Sequence, residues 1–157
     1  MTHALVAQVR NTSSATESSL NDMKKAVHVA VGVVVNAQQE VLLSFRDAHQ
    51  HQGNLWEFPG GKCEANERVE DALARELMEE LNIQVAQAEP LCNVAHDYGD
   101  KQVLLDVWWV DKFTGVPKSN EGQRWRWVPL QTLGAYQFPA ANEPILVAIR
   151  ERVALIR

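Results

Sequence analysis

Cysteine is scarce in this chain, and its scarcity removes several classes of protein. Only Cys63 and Cys92 occur among the 157 residues, and they do not form a Cys-x-x-Cys pair. A zinc ribbon and a thioredoxin-type redox motif are therefore excluded, and two reduced thiols in a reducing cytoplasm are expected. A domain of this length buries roughly 70% of its unfolded surface, so it needs no disulfide or structural metal for stability.

Long hydrophobic runs and an excess of positive charge are also missing. The longest apolar run, around residues 29–35, suits a buried strand and is too short to cross a membrane. The N-terminus lacks the pattern of a signal peptide, so a cytoplasmic protein is expected. Fifteen Lys and Arg against twenty Asp and Glu give a net charge of −5, which argues against a protein that coats DNA or RNA. A small phosphorylated substrate is compatible with this charge.

The amino-acid composition divides the chain into two parts. Residues 1–23 are mostly small and polar, and they predict a flexible tail without a core, with a short docked helix as the alternative. Residues 24–157 predict one folded domain. Because strands and helices mix within it, its class is α/β or α+β.

Hydrophobic periodicity places the elements of this domain. It predicts four strands, at residues 26–35, 40–45, 103–110 and 125–128. The first two strands are expected to pair with each other through a turn at residues 36–39, and residues 112–123 predict a loop rich in Gly, Pro, Ser and Asn. Helices are predicted over residues 67–81 and 143–157, and Asn142 is a suitable N-cap for the second helix.

The first of these helices carries acids beside its apolar stripe. At about 100° per residue, Glu80 lies about 20° from Leu73 and Glu76 lies about 60° from it, whereas Glu79 lies further round. An acidic run is more often a solvated face, but carboxylates crowded beside a core repel one another unless a cation or a basic partner neutralises them. Oxygen ligands without a thiolate or histidine cluster favour Mg²⁺ or Mn²⁺ over zinc.

The spacing of this acidic segment is specific. Gly61 is followed after five residues by Glu67, and after seven more by Arg75, which begins residues 75–83 (RELMEELNI). The pattern resembles the Nudix box, Gly-x5-Glu-x7-Arg-Glu-U-x-Glu-Glu-x-Gly-U, where U is aliphatic. Every position matches except Asn82, which stands where the family has glycine. Asparagine is the residue that, after glycine, best tolerates the left-handed conformation at the end of a helix.

Three further stretches resemble the MutT type of this family, which hydrolyses 8-oxo-dGTP to the monophosphate and pyrophosphate. They are residues 56–62 (WEFPGGK), 120–123 (NEGQ) and 138–144 (FPAANEP). Together with the box they extend from about Lys24 to the C-terminal helix and leave only the tail uncovered. The resemblance implies a mixed β-sheet between helices, with the box forming a loop–helix–loop.

The same resemblance implies a divalent metal site, with Mg²⁺ expected and Mn²⁺ as the alternative. Its ligands would be the carbonyl of Gly60 and the carboxylates of Glu76, Glu79, Glu80 and Glu121. These four carboxylates are also the predicted catalytic residues. For Glu121, the alternative is a charge that only keeps the loop soluble.

The resemblance also implies a set of substrate contacts. Arg46 and His51 match positions that contact the nucleotide, and Asn142 matches the position that reads the base. Contacts are expected as well from the segment that precedes the box, namely Glu57, Phe58, Pro59 and Gly60. The alternatives are a surface charge for Arg46 and a helix cap for Asn142. His49 and His51 lack a third ligand, so they are weak candidates for a metal pair.

The implied chemistry is attack by water on the β-phosphorus of a nucleoside triphosphate. Glu76 is the predicted general base, with Glu121 or a metal-bound hydroxide as alternatives. Arg75 is predicted to orient the carboxylates through a salt bridge instead of contacting the substrate.

Three functions are compatible with these motifs. The first is nucleotide-pool sanitisation by hydrolysis of 8-oxo-dGTP, which avoids mutations in DNA. The second is hydrolysis of another nucleoside diphosphate derivative, such as CTP, ADP-ribose or a dinucleoside polyphosphate. The third, a catalytically silent binding module, is disfavoured because all the acids of the box are present. The expected partner is a small nucleotide, without nucleic acid polymer or membrane, and the protein is expected to be a monomer or homodimer.

Overall fold

The computed structural model describes residues 25–47 and 53–156. The predicted tail, residues 1–23, and the candidate substrate contact His51 lie outside these residues. Within the described residues, seven strands and two α-helices follow one another: β1 (Lys25–Val34), β2 (Glu40–Arg46), β3 (Leu55–Glu57), β4 (Gly60–Lys62), α1 (Val69–Leu81), β5 (Gln84–Asp97), β6 (Lys101–Thr114), β7 (Trp125–Pro129) and α2 (Glu143–Ile156). Two short 3₁₀ helices, Leu130–Ala135 and Ala140–Asn142, connect β7 to α2.

The larger sheet has the strand order β4-β1-β6-β5. Its centre is the parallel pair of β1 and β6, in which Val27 lies opposite Val103 and Val29 lies opposite Leu105. β1 is an almost unbroken run of β-branched and small residues because both of its faces are covered. Alternate residues of β1 therefore enter two different hydrophobic clusters, one on each side of the sheet.

The smaller sheet has the order β3-β2-β7, and it corrects one prediction. β2 pairs with β3 and β7, and it meets the end of β1 only through one bridge between Val35 and Val41. The predicted pairing of the first two strands is therefore wrong. The reason is that both edges of β1 already have partners, β6 on one side and β4 on the other.

The two helices cover opposite faces of the larger sheet. α1 buries Leu73, Leu77 and Leu81 against one face, and α2 buries Ile145 and Ile149 against the other. The mixed sheet between helices that the resemblance implied is thus present. None of the helices in the described ranges is long and apolar enough to span a membrane.

Several boundaries differ from the prediction. α1 begins at Val69, two residues after the predicted start, and β6 continues to Thr114, so the long loop begins at residue 115. β5 was not predicted at all. It runs antiparallel to β6 with three shifts of register, and these bulges break the regular alternation by which a strand is detected in a sequence.

Candidate active site

A cavity of about 430 Å³ lies where β1 and β6 face the end of the smaller sheet. One of its walls is apolar and consists of alternate residues from the two central strands: Val27, Val29, Val31, Val103 and Leu105. The rest of the lining includes the polar side chains of Arg46, Glu57, Glu80, Glu121 and Asn142. The cavity therefore combines an apolar surface with a cluster of carboxylates.

Two glycines allow β4 to pack closely between α1 and β1. A Cβ on Gly61 would overlap the carboxylate of Glu76 on α1, and a Cβ on Gly60 would overlap the backbone oxygen of Ala30 on β1. Any side chain at these positions would push β4 away from α1 or from β1. Close packing between three elements thus explains the first glycine of the box and the glycine before it.

Arg75 is the centre of an ion-pair network on the outer side of this loop. Its guanidinium donates to both carboxylate oxygens of Glu67 at 2.9 Å, to Glu76 at 2.9 Å and to the carbonyl of Lys62 at 3.1 Å. Glu79 lies at 3.5 Å from the same group. The predicted salt bridges between Arg75 and carboxylates of the box are thus present. Arg75 is not among the residues that line the cavity, and the absence of a contact between Arg75 and the substrate stays a prediction.

Glu67 is held firmly in its ionised form. The hydrogen bonds from Arg75, with a further one from the backbone N–H of Glu64, lower the pKa of Glu67 to about 2. Because the paired charge is compensated locally, this carboxylate fixes the loop to the helix and has little attraction left for another cation.

Glu80 has the opposite electrostatic environment. Burial is the largest influence on it, and the nearby carboxylates of Glu76, Glu121 and Glu57 follow; together they raise the pKa of Glu80 to about 8. A hydrogen bond from the backbone N–H of Gly60 opposes this shift only partly. A carboxylate in such surroundings is relieved either by a proton or by a cation.

The donors present fit a hard divalent cation. They are carboxylate oxygens in a partly buried cluster whose mutual repulsion a 2+ ion would remove. Within residues 25–47 and 53–156, no three acidic, imidazole or thiol side chains converge closely enough to form a ready ligand set. Binding therefore requires rotation of some side chains, most simply of Glu79, whose side chain is 55% exposed.

Arg46 and Glu57 form an ion pair beside the cavity. They belong to the adjacent strands β2 and β3, and the Nε and one terminal nitrogen of Arg46 donate to the same oxygen of Glu57 at 3.0 and 2.7 Å. The pair explains how an acid is accommodated in the otherwise apolar stretch around residue 57. Both side chains line the cavity, where one of them could turn to a ligand.

Asn142 contributes a buried amide to the cavity wall. The residue is only 7% exposed, and its side chain makes no hydrogen bond to any other residue that the structure describes. Its backbone N–H donates to Pro139 in a 3₁₀ turn, and α2 begins with the next residue. The cap bond of the alternative interpretation is therefore not formed, and the amide is available to a ligand.

The structure brings together most of the predicted site residues. Those on the cavity are Arg46, Glu57, Phe58, Gly60, Glu80, Glu121 and Asn142. Glu76 lies against Gly61, behind the lining, and Glu79 is exposed beside Arg75. Pro59 is not among the lining residues, although Gly32 donates to its carbonyl at 2.8 Å. The roles of all these residues stay predictions.

The apolar wall and several other lining residues were not predicted from the sequence. Phe45, Lys62, Tyr98, Lys101 and Gln123 also border the cavity. Alternation within residues 27–31 and 103–105 could have indicated the wall, since alternate residues of a strand share one face. Nothing in the local sequence indicated that these two strands lie side by side and parallel.

The NUDIX domain family matches residues 30–148 of the chain. The chain belongs to the Nudix family. It is 36% identical over 126 residues to the 8-oxo-dGTP diphosphatase of Escherichia coli K12, which covers 80% of this chain and 98% of the relative. It is 32% identical over 118 residues to the CTP pyrophosphohydrolase of the same organism, covering 75% and 87%.

Solved structures are similar as well. A structure from work on MutT of Aliivibrio salmonicida and Vibrio cholerae superposes with a TM-score of 0.73 at 36% identity, over 82% of this chain and 99% of the other. The predicted family, its fold and the enzyme class, a hydrolase of phosphoanhydride bonds, are thereby confirmed. Nudix hydrolases of this type generally depend on a divalent metal.

Proposed function

We propose that this protein hydrolyses 8-oxo-dGTP to 8-oxo-dGMP and pyrophosphate with Mg²⁺, and so removes an oxidised nucleotide from the cytoplasmic pool before DNA synthesis. The observation that carries the proposal is that one cavity contains both the acidic cluster around Glu80 and the amide of Asn142, whose side chain makes no hydrogen bond to another described residue. The relative named 8-oxo-dGTP diphosphatase supports this choice of substrate.

The cavity suits a nucleotide in size and polarity. Its volume lies within the usual range for small-molecule sites, roughly 300–1,000 Å³. The apolar wall of β1 and β6 offers a surface for a flat base and sugar, whereas the carboxylates could approach a triphosphate only through bound cations. A nucleotide has both a flat base that can lie on the apolar wall and phosphates that can bind the cations.

The carboxylates of Glu76, Glu79, Glu80 and Glu121 would hold the metal together with the carbonyl of Gly60. When bound, Mg²⁺ neutralises phosphate oxygens and makes water a stronger nucleophile. Glu76 accepts a proton from the attacking water in this proposal, and Arg75 keeps its carboxylate oriented through the 2.9 Å hydrogen bond. The water oxygen bonds to the β-phosphorus. The bond between the β-phosphorus and the oxygen that bridges it to the α-phosphorus breaks, and this oxygen leaves with the monophosphate.

Recognition of the oxidised base rests on hydrogen-bond polarity. Guanine presents two acceptors, N7 and O6, whereas 8-oxoguanine carries a proton on N7 and presents a donor beside an acceptor. A side-chain amide also has one donor group and one acceptor, so Asn142 can pair with that edge through two hydrogen bonds. With ordinary guanine its carbonyl would face an acceptor, at a cost of about 1–3 kcal/mol.

The Asn142→Asp variant tests this recognition. Loss of the amide donor leaves a carboxylate oxygen facing O6 of the base, so kcat/KM for 8-oxo-dGTP should fall about tenfold to a hundredfold. Aspartate caps a helix as well as asparagine does, so a residue that only caps would leave kcat/KM unchanged. An unchanged kcat/KM would remove Asn142 from the substrate site.

The activity itself is tested by pyrophosphate release from a nucleotide panel with and without Mg²⁺. The panel contains 8-oxo-dGTP, dGTP and CTP, together with ADP-ribose and a dinucleoside polyphosphate, whose cleavage is followed by chromatography. We expect the highest kcat/KM for 8-oxo-dGTP and no turnover without metal. CTP is the second candidate because of the similarity to the CTP pyrophosphohydrolase, and preferential hydrolysis of CTP would replace the proposal.

A further inference from the structure

The loop that carries Glu121 is attached to the C-terminal end of α1, and Asn120 makes most of the attachment. Its side-chain amide donates to the carbonyls of Met78 at 3.3 Å and Glu79 at 2.9 Å. Its backbone N–H donates to the carbonyl of Glu80 at 3.0 Å. One residue of the loop therefore binds three consecutive carbonyls of the helix.

These bonds complete the hydrogen bonding of the helix end. The last carbonyls of a helix have no partner within the helix and need one elsewhere. The turn after α1 supplies two of the donors, since Asn82 and Ile83 donate to Met78 and Leu77. The loop supplies the others, because Lys118 donates to Leu81 and Asn120 donates to Glu79 and Glu80. The last turn contains no basic side chain that could serve instead.

The attachment joins the backbone of the acidic cluster to Glu121. Two of the carbonyls that Asn120 binds belong to Glu79 and Glu80, and the next residue of the loop is Glu121. Glu121 lines the same cavity as Glu80, although the two residues lie far apart in the chain. Among the hydrogen bonds between this loop and α1 in the described residues, Asn120 supplies the only side-chain donor. The position of Glu121 relative to Glu80 thus depends on this clamp by Asn120.

We infer that Asn120 is a positioning residue for the divalent-metal site: it fastens the Glu121 loop to the end of α1 and sets the placement of Glu121 beside Glu80. The inference rests on the proposed metal-dependent function. It assigns Asn120 no contact with metal or nucleotide. Without this clamp the loop retains the Glu121 carboxylate but can hold it in many positions. Each binding event must then order the loop, and the loss of conformational entropy weakens metal binding.

The test is a double-mutant cycle on metal affinity, measured without nucleotide. Mn²⁺ binding is followed by electron paramagnetic resonance for the wild type, Asn120→Ala, Glu121→Gln and the double variant. We expect Asn120→Ala to weaken Mn²⁺ binding about tenfold, the effect of one or two hydrogen bonds of ordinary strength. In the Glu121→Gln background the same change should alter the affinity less than twofold, because Asn120 acts through Glu121.

Lys118→Ala is the matched control in the same loop. Its backbone hydrogen bond to Leu81 remains, and its side chain makes no hydrogen bond or ion pair with another residue of the described ranges, so wild-type affinity is expected. Turnover adds a second readout: Asn120→Ala should lower kcat and leave the KM for the nucleotide within about twofold. Circular dichroism spectra that match the wild type would show that the variant folds.

Three results would overturn the inference. They are wild-type Mn²⁺ affinity in Asn120→Ala, an equal loss of affinity in both backgrounds of the cycle, and absence of Mn²⁺ binding in the wild type. The proposed function fails separately, if the wild type binds Mn²⁺ but hydrolyses no nucleotide of the panel. The cycle would still decide the role of Asn120 in that case.

Discussion

Glu67 and Glu80 are two carboxylates of one motif, and their electrostatic surroundings are opposite. Glu67 lies two residues before α1 and Glu80 lies in its last turn. Glu67 shares both its oxygens with Arg75, which lowers its pKa to about 2. Glu80 is buried among other carboxylates, which raises its pKa to about 8. The first charge is compensated within the protein, and the second is not. An acidic motif can thus contain one part that fixes the loop and another that is prepared for a cation.

The largest expected effect follows from removing the uncompensated charge. Glu80→Gln keeps the shape of the side chain and removes a proposed metal ligand, so kcat should fall roughly a thousandfold. The Tm of the metal-free protein should rise by a few degrees, because the repulsion disappears. Turnover assays with saturating Mg²⁺ and differential scanning calorimetry check both expectations.

The matched control is Glu70→Gln on the same helix. Glu70 forms an ion pair with the exposed Arg68 and is not among the residues that line the cavity, so its substitution should leave turnover unchanged. Activity of Glu80→Gln within tenfold of the wild type would contradict the assignment of Glu80 to the metal site.

Substitution of Arg75, whose guanidinium compensates the charge of Glu67, should have the next largest effect. Arg75→Lys retains a positive charge but cannot donate to both oxygens of Glu67 and to Glu76 at once. We expect the Tm to fall by roughly 3–6 °C, since several charge-assisted hydrogen bonds are lost together. Arg68→Ala, which breaks an exposed pair, should change the Tm by about 1 °C at most. Equal shifts in the two variants would show that the network is no stronger than a surface ion pair.

The two carboxylates should make the stability of the fold depend on pH in opposite directions. The folded pKa of Glu80 lies above its ordinary value of 4.5, so ionisation destabilises the metal-free fold, and stability should decline as the pH rises from 4.5 to about 8. The folded pKa of Glu67 lies below 4.5, so its contribution is present above that pH and is lost as the pH falls towards 2.

Urea unfolding of the metal-free protein across this pH range measures both slopes. Glu80→Gln should flatten the slope between pH 4.5 and 8, and Glu67→Gln should flatten the slope between pH 4.5 and 2. A variant that changes the slope on the other side of pH 4.5 would contradict the comparison.

The smallest effect is expected from deletion of residues 1–23. This segment lacks the periodicity of a core element and lies outside the family match. The truncated protein should keep its kcat/KM within about twofold and keep both pH slopes. A large loss of activity would show that the segment covers the site or takes part in it.

Features that depend on neighbouring residues in the chain were predicted correctly from the sequence. The apolar stripe of Leu73, Leu77 and Leu81 predicted α1, and the family spacing predicted that Asn82 would end it in the left-handed conformation, which its φ of 60° confirms. The placement of Glu76 and Glu80 beside the core, with Glu79 more exposed, followed from the same helical geometry.

Features that depend on distant pairing could not be predicted in the same way. The turn after β1 suggests a hairpin, but the edges of β1 are occupied by segments that come later in the chain. The pair of Arg46 and Glu57 and the attachment of Asn120 to α1 likewise join segments whose proximity only the fold creates. β5 escaped detection because its bulges disrupt the alternating pattern.

The comparison is tested most directly by the titration of individual glutamates, followed by ¹³C NMR of the side-chain carboxyl carbons with and without Mg²⁺. Without metal, Glu80 should titrate near pH 8 and Glu67 near pH 2. With Mg²⁺, the midpoint of Glu80 should fall below 4.5 while that of Glu67 stays where it was. A Glu80 midpoint near 4.5 without metal, unchanged by Mg²⁺, would contradict the account.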